Sequence, residues 1–175
     1  MASMKTSLLL LALALGACSY RSFGTVIDDN TQEMAIGARL LANKRIDDNS
    51  HVNVTVYNGR VLLTGEARDP GIINEIVWVV SQQENLRNIS NNIIVGPRST
   101  LSERAYDSSQ TAKVKTALMN IHLRGFNPTN IKVFTEQGIT YLMGIVNRQQ
   151  AQIVTETARR VSGVRSVVTL FDYFR

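Results

Sequence analysis

Apolar and polar residues alternate along this chain in two tracts that repeat at an offset of 79 residues. In the first, Val52, Val54 and Val56 occupy every second position, Asn58-Gly59 interrupts them, and Val61 and Leu63 resume the alternation up to Gly65. Asn-Gly supplies the positive backbone φ angles that a two-residue hairpin turn needs, so the tract predicts a β-hairpin. In the second, Ile131 and Val133 alternate, Gln137-Gly138 makes the turn, and Thr140 and Leu142 lead to Gly144. After each hairpin the spacing changes from two to that of a helix. Ile73, Ile76, Val77 and Val80 form an i, i+3, i+4, i+7 stripe, matched at offset 78 by the thinner stripe Ala151, Val154, Thr155 and Ala158. Asp69 before Pro70, and Asn147, stand where helix N-caps are expected.

Each copy closes with an alternating strand, Ile89, Asn91, Ile93, Val95 against Val167, Thr169, Phe171, Tyr173. Upstream of each hairpin, Ile36 and Leu40 match Val114 and Leu118 as the inner face of another helix. Asn30 with Glu33 would cap the first of these, and Asp107 or Ser108 the second. Each copy therefore reads helix, strand, strand, helix, strand, with two helices covering one face of a three-stranded sheet. Gly96-Pro97-Arg98-Ser99-Thr100 disfavours regular structure and separates the copies. Units this small bury little apolar surface alone, so the two are expected to pack on each other. Trp78 is expected in the core or between the units, with ligand contact as the alternative.

The N-terminus carries a different signal. Residues 8 to 15 are wholly apolar, Lys5 precedes them, and Gly16-Ala17-Cys18 follows, the pattern of a secretory signal whose apolar run is too short to span a bilayer. Leu15-Gly16-Ala17-Cys18 resembles the bacterial lipobox, which implies cleavage after residue 17 and acylation of Cys18, the only cysteine. Each buried acyl methylene contributes about 0.8 kcal/mol, and more than one chain makes such an anchor durable. Ser19 stands where lipoproteins kept in the inner membrane carry Asp, so the resemblance implies sorting to the outer membrane, facing the periplasm.

The repeated hairpin, Gly59-Arg60-Val61-Leu62-Leu63-Thr64-Gly65 and Gly138-Ile139-Thr140-Tyr141-Leu142-Met143-Gly144, resembles the BON domain, as does Val161-Ser162-Gly163-Val164-Arg165-Ser166-Val167. Two such units behind a lipobox, with Ser22-Phe23-Gly24-Thr25 leading to Asp28-Asp29, resemble the dual-BON outer-membrane lipoproteins. The resemblance implies an α+β fold of two tandem BON domains, each with a three-stranded mixed sheet covered by two helices. The expected divisions are a signal peptide over residues 1–17, a lipidated linker over 18–27, BON domains over 28–96 and 106–175, and a linker over 97–105. It further implies no enzymatic activity, binding of anionic phospholipid (phosphatidylglycerol foremost) by the second BON domain, and support of envelope integrity, division-site localisation and outer-membrane protein assembly.

Charge is divided unevenly between the copies. Residues 18 to 98 hold eight Lys and Arg against nine Asp and Glu, whereas residues 99 to 175 hold ten against five. A basic domain held near an anionic leaflet gains about 1 kcal/mol for each Lys or Arg at its surface. Candidate contacts are Lys113, Lys115, Arg124 and Lys132 around the first helix and strand of the second copy, and Arg148, Arg159, Arg160 and Arg165 around its second helix. Leu118, Met119 and Leu123 are the apolar candidates, of which helical spacing assigns Leu118 to the core and favours Met119 at the surface. The family's membrane-facing element is the first helix of the second domain, with an exposed aromatic near its start. Ser109 occupies that position here, with Tyr106 nearby, so a more electrostatic contact is expected.

Catalytic patterns are missing from the sequence: His51 and His122 are isolated, and neither a P-loop nor a His-Glu-x-x-His motif occurs. No cofactor or metal is assigned, because paired acids such as Asp28-Asp29 and Asp47-Asp48 suit caps and solvated turns. The sequence pI of 9.7 would suit nucleic acid, but an exported protein does not meet it. The alternative function is a periplasmic protein-docking module that contacts the outer-membrane assembly machinery or a division factor without direct lipid recognition.

Overall fold

The computed structural model describes residues 23–174. Cys18 and the signal segment lie outside the described residues.

The first unit comprises α1 (Phe23–Ala42), α2 (Lys44–Asn49), β1 (Ser50–Tyr57), β2 (Arg60–Ala67), α3 (Pro70–Ser81) and β3 (Asn88–Val95). The second comprises α4 (Leu101–Met119), a 3-10 turn at Pro128–Asn130, β4 (Lys132–Glu136), β5 (Ile139–Val146), α5 (Arg148–Arg159) and β6 (Ser166–Tyr173). Each sheet is three-stranded and mixed. The hairpins β1–β2 and β4–β5 are antiparallel, and the crossovers through α3 and α5 place β3 and β6 parallel to β2 and β5. Positive φ at Asn58 and Gly59, and at Gln137 and Gly138, forms both tight turns. Asp69 caps α3 through the Ile72 amide with Pro70 in the first turn, and Asn147 caps α5 in a reciprocal box with Gln150.

Three helix features depart from the sequence expectation. Asn30 lies inside α1, so Asn30 and Glu33 form no capping box; Glu33 instead accepts from the Val56 amide and from Lys132 Nζ. The second unit's first helix starts at Leu101, capped by Thr100 in a box with Glu103, and Asp107 is buried within it. Residues 101–105, expected as linker, are thus helical. The short helix α2 is not signalled by the hydrophobic pattern; Asn43 caps it by accepting from the Arg45 and Ile46 amides.

Strand alternation decides which side chains meet. Val61, Leu63 and Val56 face α1 and α3 in one core, and Val133, Leu142 and Val146 face α4 and α5 in another. The opposite faces are also apolar: Tyr57 and Leu62 of the first sheet pack with Tyr141 and Met143 of the second in a third cluster. The layers therefore run helices, sheet, sheet, helices, as the small size of each unit led us to expect. Polar contacts border this seam. Asp172 pairs with Arg60 at 2.9 Å and Arg87 at 3.2 Å, Lys132 pairs with Glu33 at 2.6 Å, and Tyr57 donates to the Asn130 carbonyl at 2.7 Å.

Trp78 is neither core nor inter-unit packing: its side chain is 63% exposed on α3. Residues 76, 77 and 80 share one helix face, and position 78 is rotated about 100° from position 77.

Candidate functional site

Helix α4 shows how this sequence builds a two-sided surface. Asp107, Gln110, Val114 and Leu118 point inward. Directly opposite, at about 100° per residue, stand Leu101, Ala105, Ser108, Ala112, Thr116 and Met119, all exposed and none charged. The Ser108 and Thr116 hydroxyls donate to the carbonyls of Arg104 at 2.9 Å and Ala112 at 3.0 Å, which spends their polarity on the helix backbone. Arg104 and Lys115 line one flank of this stripe and Lys113 the other, so the two lysines lie about 160° apart around the axis. Long basic side chains placed this way can lay their stems over apolar surface while the charges reach headgroups.

The structure divides the remaining candidates. Lys115 and Met119 border a shallow groove between α4 and β4, where Met119 is 59% exposed. Arg148 and Arg159 border a separate groove between α5 and β6, on the far flank of the helix layer. Arg124 is exposed in the segment after α4, and Arg160 is exposed at the C-cap of α5. Lys132 is held at the seam by Glu33 and the Val56 carbonyl, a structural position and not a free surface charge. Arg165 lies along the Gly138 turn and reaches the Gln137 carbonyl.

Two residues read as helix caps have another role. Asp29 accepts from the Asn58 amide at 2.6 Å and the Gly59 amide at 2.9 Å. Asp107 accepts from the Gln137 and Gly138 amides at the same two distances. The two acids are separated by the repeat offset of 78, a signal available in the sequence. Each ties the first helix of its unit to the hairpin turn.

At the seam beside the second turn, carboxylates are crowded. Gln137 Nε2 donates to Glu66, which also accepts from the Ser99 amide, and Asn53 donates to Glu136 at 2.6 Å. Burial first, then the Glu66 charge, pushes Glu136 up to about 7 despite the Asn53 hydrogen bond and the Arg104 charge. Burial and the charge of Arg104 lower His51 nearby. Burial alone would raise Asp172, but hydrogen bonds from Arg60 and Asn58 and the charges of Arg60 and Arg87 hold it below the ordinary carboxylate value.

Among the described residues, no helix is long and apolar enough to cross a membrane, and no group of three or more His, Cys, Asp or Glu is placed to hold a metal.

The BON domain family model matches residues 28–97 and 106–173. The chain is 30% identical to the outer membrane lipoprotein DolP of Haemophilus influenzae, over 87% of this chain and 78% of that protein. It is also 30% identical to a 21 kDa hemolysin of Actinobacillus pleuropneumoniae, over the same shares of each. A structure of CdsD, a structural protein of the type III secretion system of Chlamydia trachomatis, aligns over 85% of this chain and 92% of that one, with TM-score 0.30 and 16% identity, too low a likeness to bear on function.

Proposed function

The chain belongs to the BON-domain family, with two copies of the domain, and from that premise we propose that it is a non-enzymatic outer-membrane lipoprotein that docks on anionic phospholipid through the outward face of α4. Anchored at Cys18 and facing the periplasm, it concentrates at anionic regions of the membrane and there supports envelope integrity, division-site localisation and outer-membrane protein assembly. Kinship with an outer membrane lipoprotein supports the anchor and the compartment.

The observation that carries the lipid reading is the uncharged stripe Leu101–Ala105–Ala112–Met119, bordered by Arg104, Lys113 and Lys115 in a half-chain with ten basic and five acidic residues. Three such charges near an anionic leaflet contribute about 3 kcal/mol, and apolar contact by Leu101 and Met119 adds to it. Lacking a tryptophan on this face, the contact is shallow and salt-sensitive. Phosphatidylglycerol is the proposed headgroup. Flotation with phosphatidylglycerol vesicles and with neutral vesicles tests this: recovery with the acidic vesicles alone, weakening at high salt, is expected, and equal recovery from both would refute it.

A second reading is favoured by α1. Its outward face exposes Ile27, Met34, Ala38 and Leu41, with Met34 at 76%, on the side of the molecule away from α4 and in the acidic half of the chain. With α4 against lipid, this stripe faces the periplasm and suits a protein of the assembly or division machinery. In-cell crosslinking from Met34→Cys would recover such a partner, and finding only lipid adducts there would refute it.

A further inference from the structure

The groove between α5 and β6 has features the lipid reading does not use. Among the described residues, strand β6 is the outer strand of the second sheet, with β5 its one neighbour. Its sequence, Ser-Val-Val-Thr-Leu-Phe-Asp-Tyr, is β-prone, and its one charge, Asp172, points to the seam between the units. Edge strands are ordinarily blunted by charges, proline or a covering element, and an open edge is a template for another strand. Beside it runs a groove of about 530 Å³, bordered by Arg148, Thr155, Glu156 and Arg159 from α5, two basic groups against one acidic, and by Phe171 and Tyr173 from β6.

The internal repeat supplies a control. At offset 78, Ile73 and Val77 stand where the second unit has Ala151 and Thr155, and both pack against the first core, so large side chains fill there what small ones leave open. The first unit's edge is also blunted: the Asn91 side chain accepts from the Ile93 amide at 3.1 Å, whereas Thr169 and Phe171 occupy the matching positions in β6. The helix contribution changes in the same direction, with Pro70 and Ser81 replaced by Arg148 and Arg159. Arg148 makes no ion pair among the described residues, and Arg159 has only an exposed i, i+3 pair with Glu156. Such exposed pairs are weak, so both guanidiniums can turn to an incoming carboxylate.

We propose that the open edge of β6 and the adjoining groove form a docking site for an extended acidic segment of a partner protein, which adds to the sheet as a further strand. Main-chain hydrogen bonds to β6 provide the adhesion. Alternate side chains of the segment point into the groove, where acidic groups meet Arg148 and Arg159 and apolar ones rest on Phe171 and Tyr173.

A fluorescent octapeptide alternating Val with Glu, titrated against the mature chain, tests this beside a counterpart alternating Val with Lys. The Glu peptide is expected to bind at least about tenfold tighter, less so at high salt, and to slow amide exchange along β6. Thr169→Pro, and Arg148→Glu with Arg159→Glu, are each expected to weaken it about tenfold while flotation with acidic vesicles persists in Thr169→Pro. Should Thr169→Pro not fold, the paired arginine variant decides. Equal binding of both peptides, no binding of either, or undiminished binding by the arginine variant would overturn the proposal. So would a dimer of the chain, seen by sedimentation and lost with the edge variants, because a second copy would then be the occupant.

Discussion

At the residue scale, the two carboxylates Asp29 and Asp107 carry the most structure per atom, since each holds two turn amides of a hairpin about 30 residues away in the chain. Charge-assisted bonds of this kind contribute about 1.5–3 kcal/mol, so Asp29→Ala and Asp107→Ala should each lower the free energy of urea unfolding by that order. The paired glycines differ more than their matching positions suggest. A Cβ on Gly65, which has φ +116°, would stand 2.0 Å from the His51 carbonyl oxygen, whereas one on Gly144 would clash with the movable Cδ1 tip of Ile131 and meet backbone at ordinary contact distance, 3.4 Å or more. Gly65→Ala should therefore cost at least about 3 kcal/mol and Gly144→Ala about 1, by thermal or urea unfolding of each variant. The glycine repeat was visible in the sequence, but this asymmetry was not, because it depends on which backbone lies behind each strand.

Among the elements, strands and the second helix of each unit were legible from alternation and caps, and the first helices were legible only as inner faces. Ile36, Leu40, Val114 and Leu118 are buried as the spacing required. The starts were misplaced because cap-like residues also serve distant partners: Glu33 binds β1 and the second unit, and Asp107 binds a turn. Trp78 was misassigned because a stripe of valines around it hid the rotation that turns it to solvent. The seam between the sheets should respond to pH. Glu136 of β4 faces Glu66 of β2, Asp107 and Arg104 of α4 and Asn53 of β1, and its pKa rises on folding from 4.5 to about 7. The folded chain thus keeps a proton that the unfolded chain releases, so this stabilisation is full below about pH 4.5 and is lost as pH rises through about 7. His51 opposes it at acid pH, since its lowered pKa disfavours the charge it would take below about 6.5. Above about pH 6.5 the His51 effect fades and the Glu136 effect outweighs it, so by about pH 8.5 the chain should lose about 0.5 kcal/mol of unfolding free energy. Glu136→Gln should flatten that change; an unaltered slope would place its origin elsewhere.

Taken whole, the molecule turns two helical faces outward on opposite sides of a double sheet, and apolar exposure alone would point to α1. The α1 stripe is the more apolar, yet the basic charge belongs to the unit that contains α4. Charge asymmetry was readable from the sequence, while the stripe between Lys113 and Lys115 needed the inner face of α4 to be fixed by Asp107, Gln110, Val114 and Leu118. The anchor is a separate prediction: Cys18→Ala should leave an uncleaved precursor or free the folded units from the membrane, measured by fractionation and palmitate labelling. If α4 docks on lipid, Met119 meets the bilayer and Met34 does not. An environment-sensitive dye placed at Met119→Cys or at Met34→Cys, in a mature chain with Cys18→Ser, reports this directly with phosphatidylglycerol vesicles. A blue shift from position 119, reduced by salt, and none from position 34 is expected; a shift from position 34 alone, or equal shifts from both, would refute docking through α4.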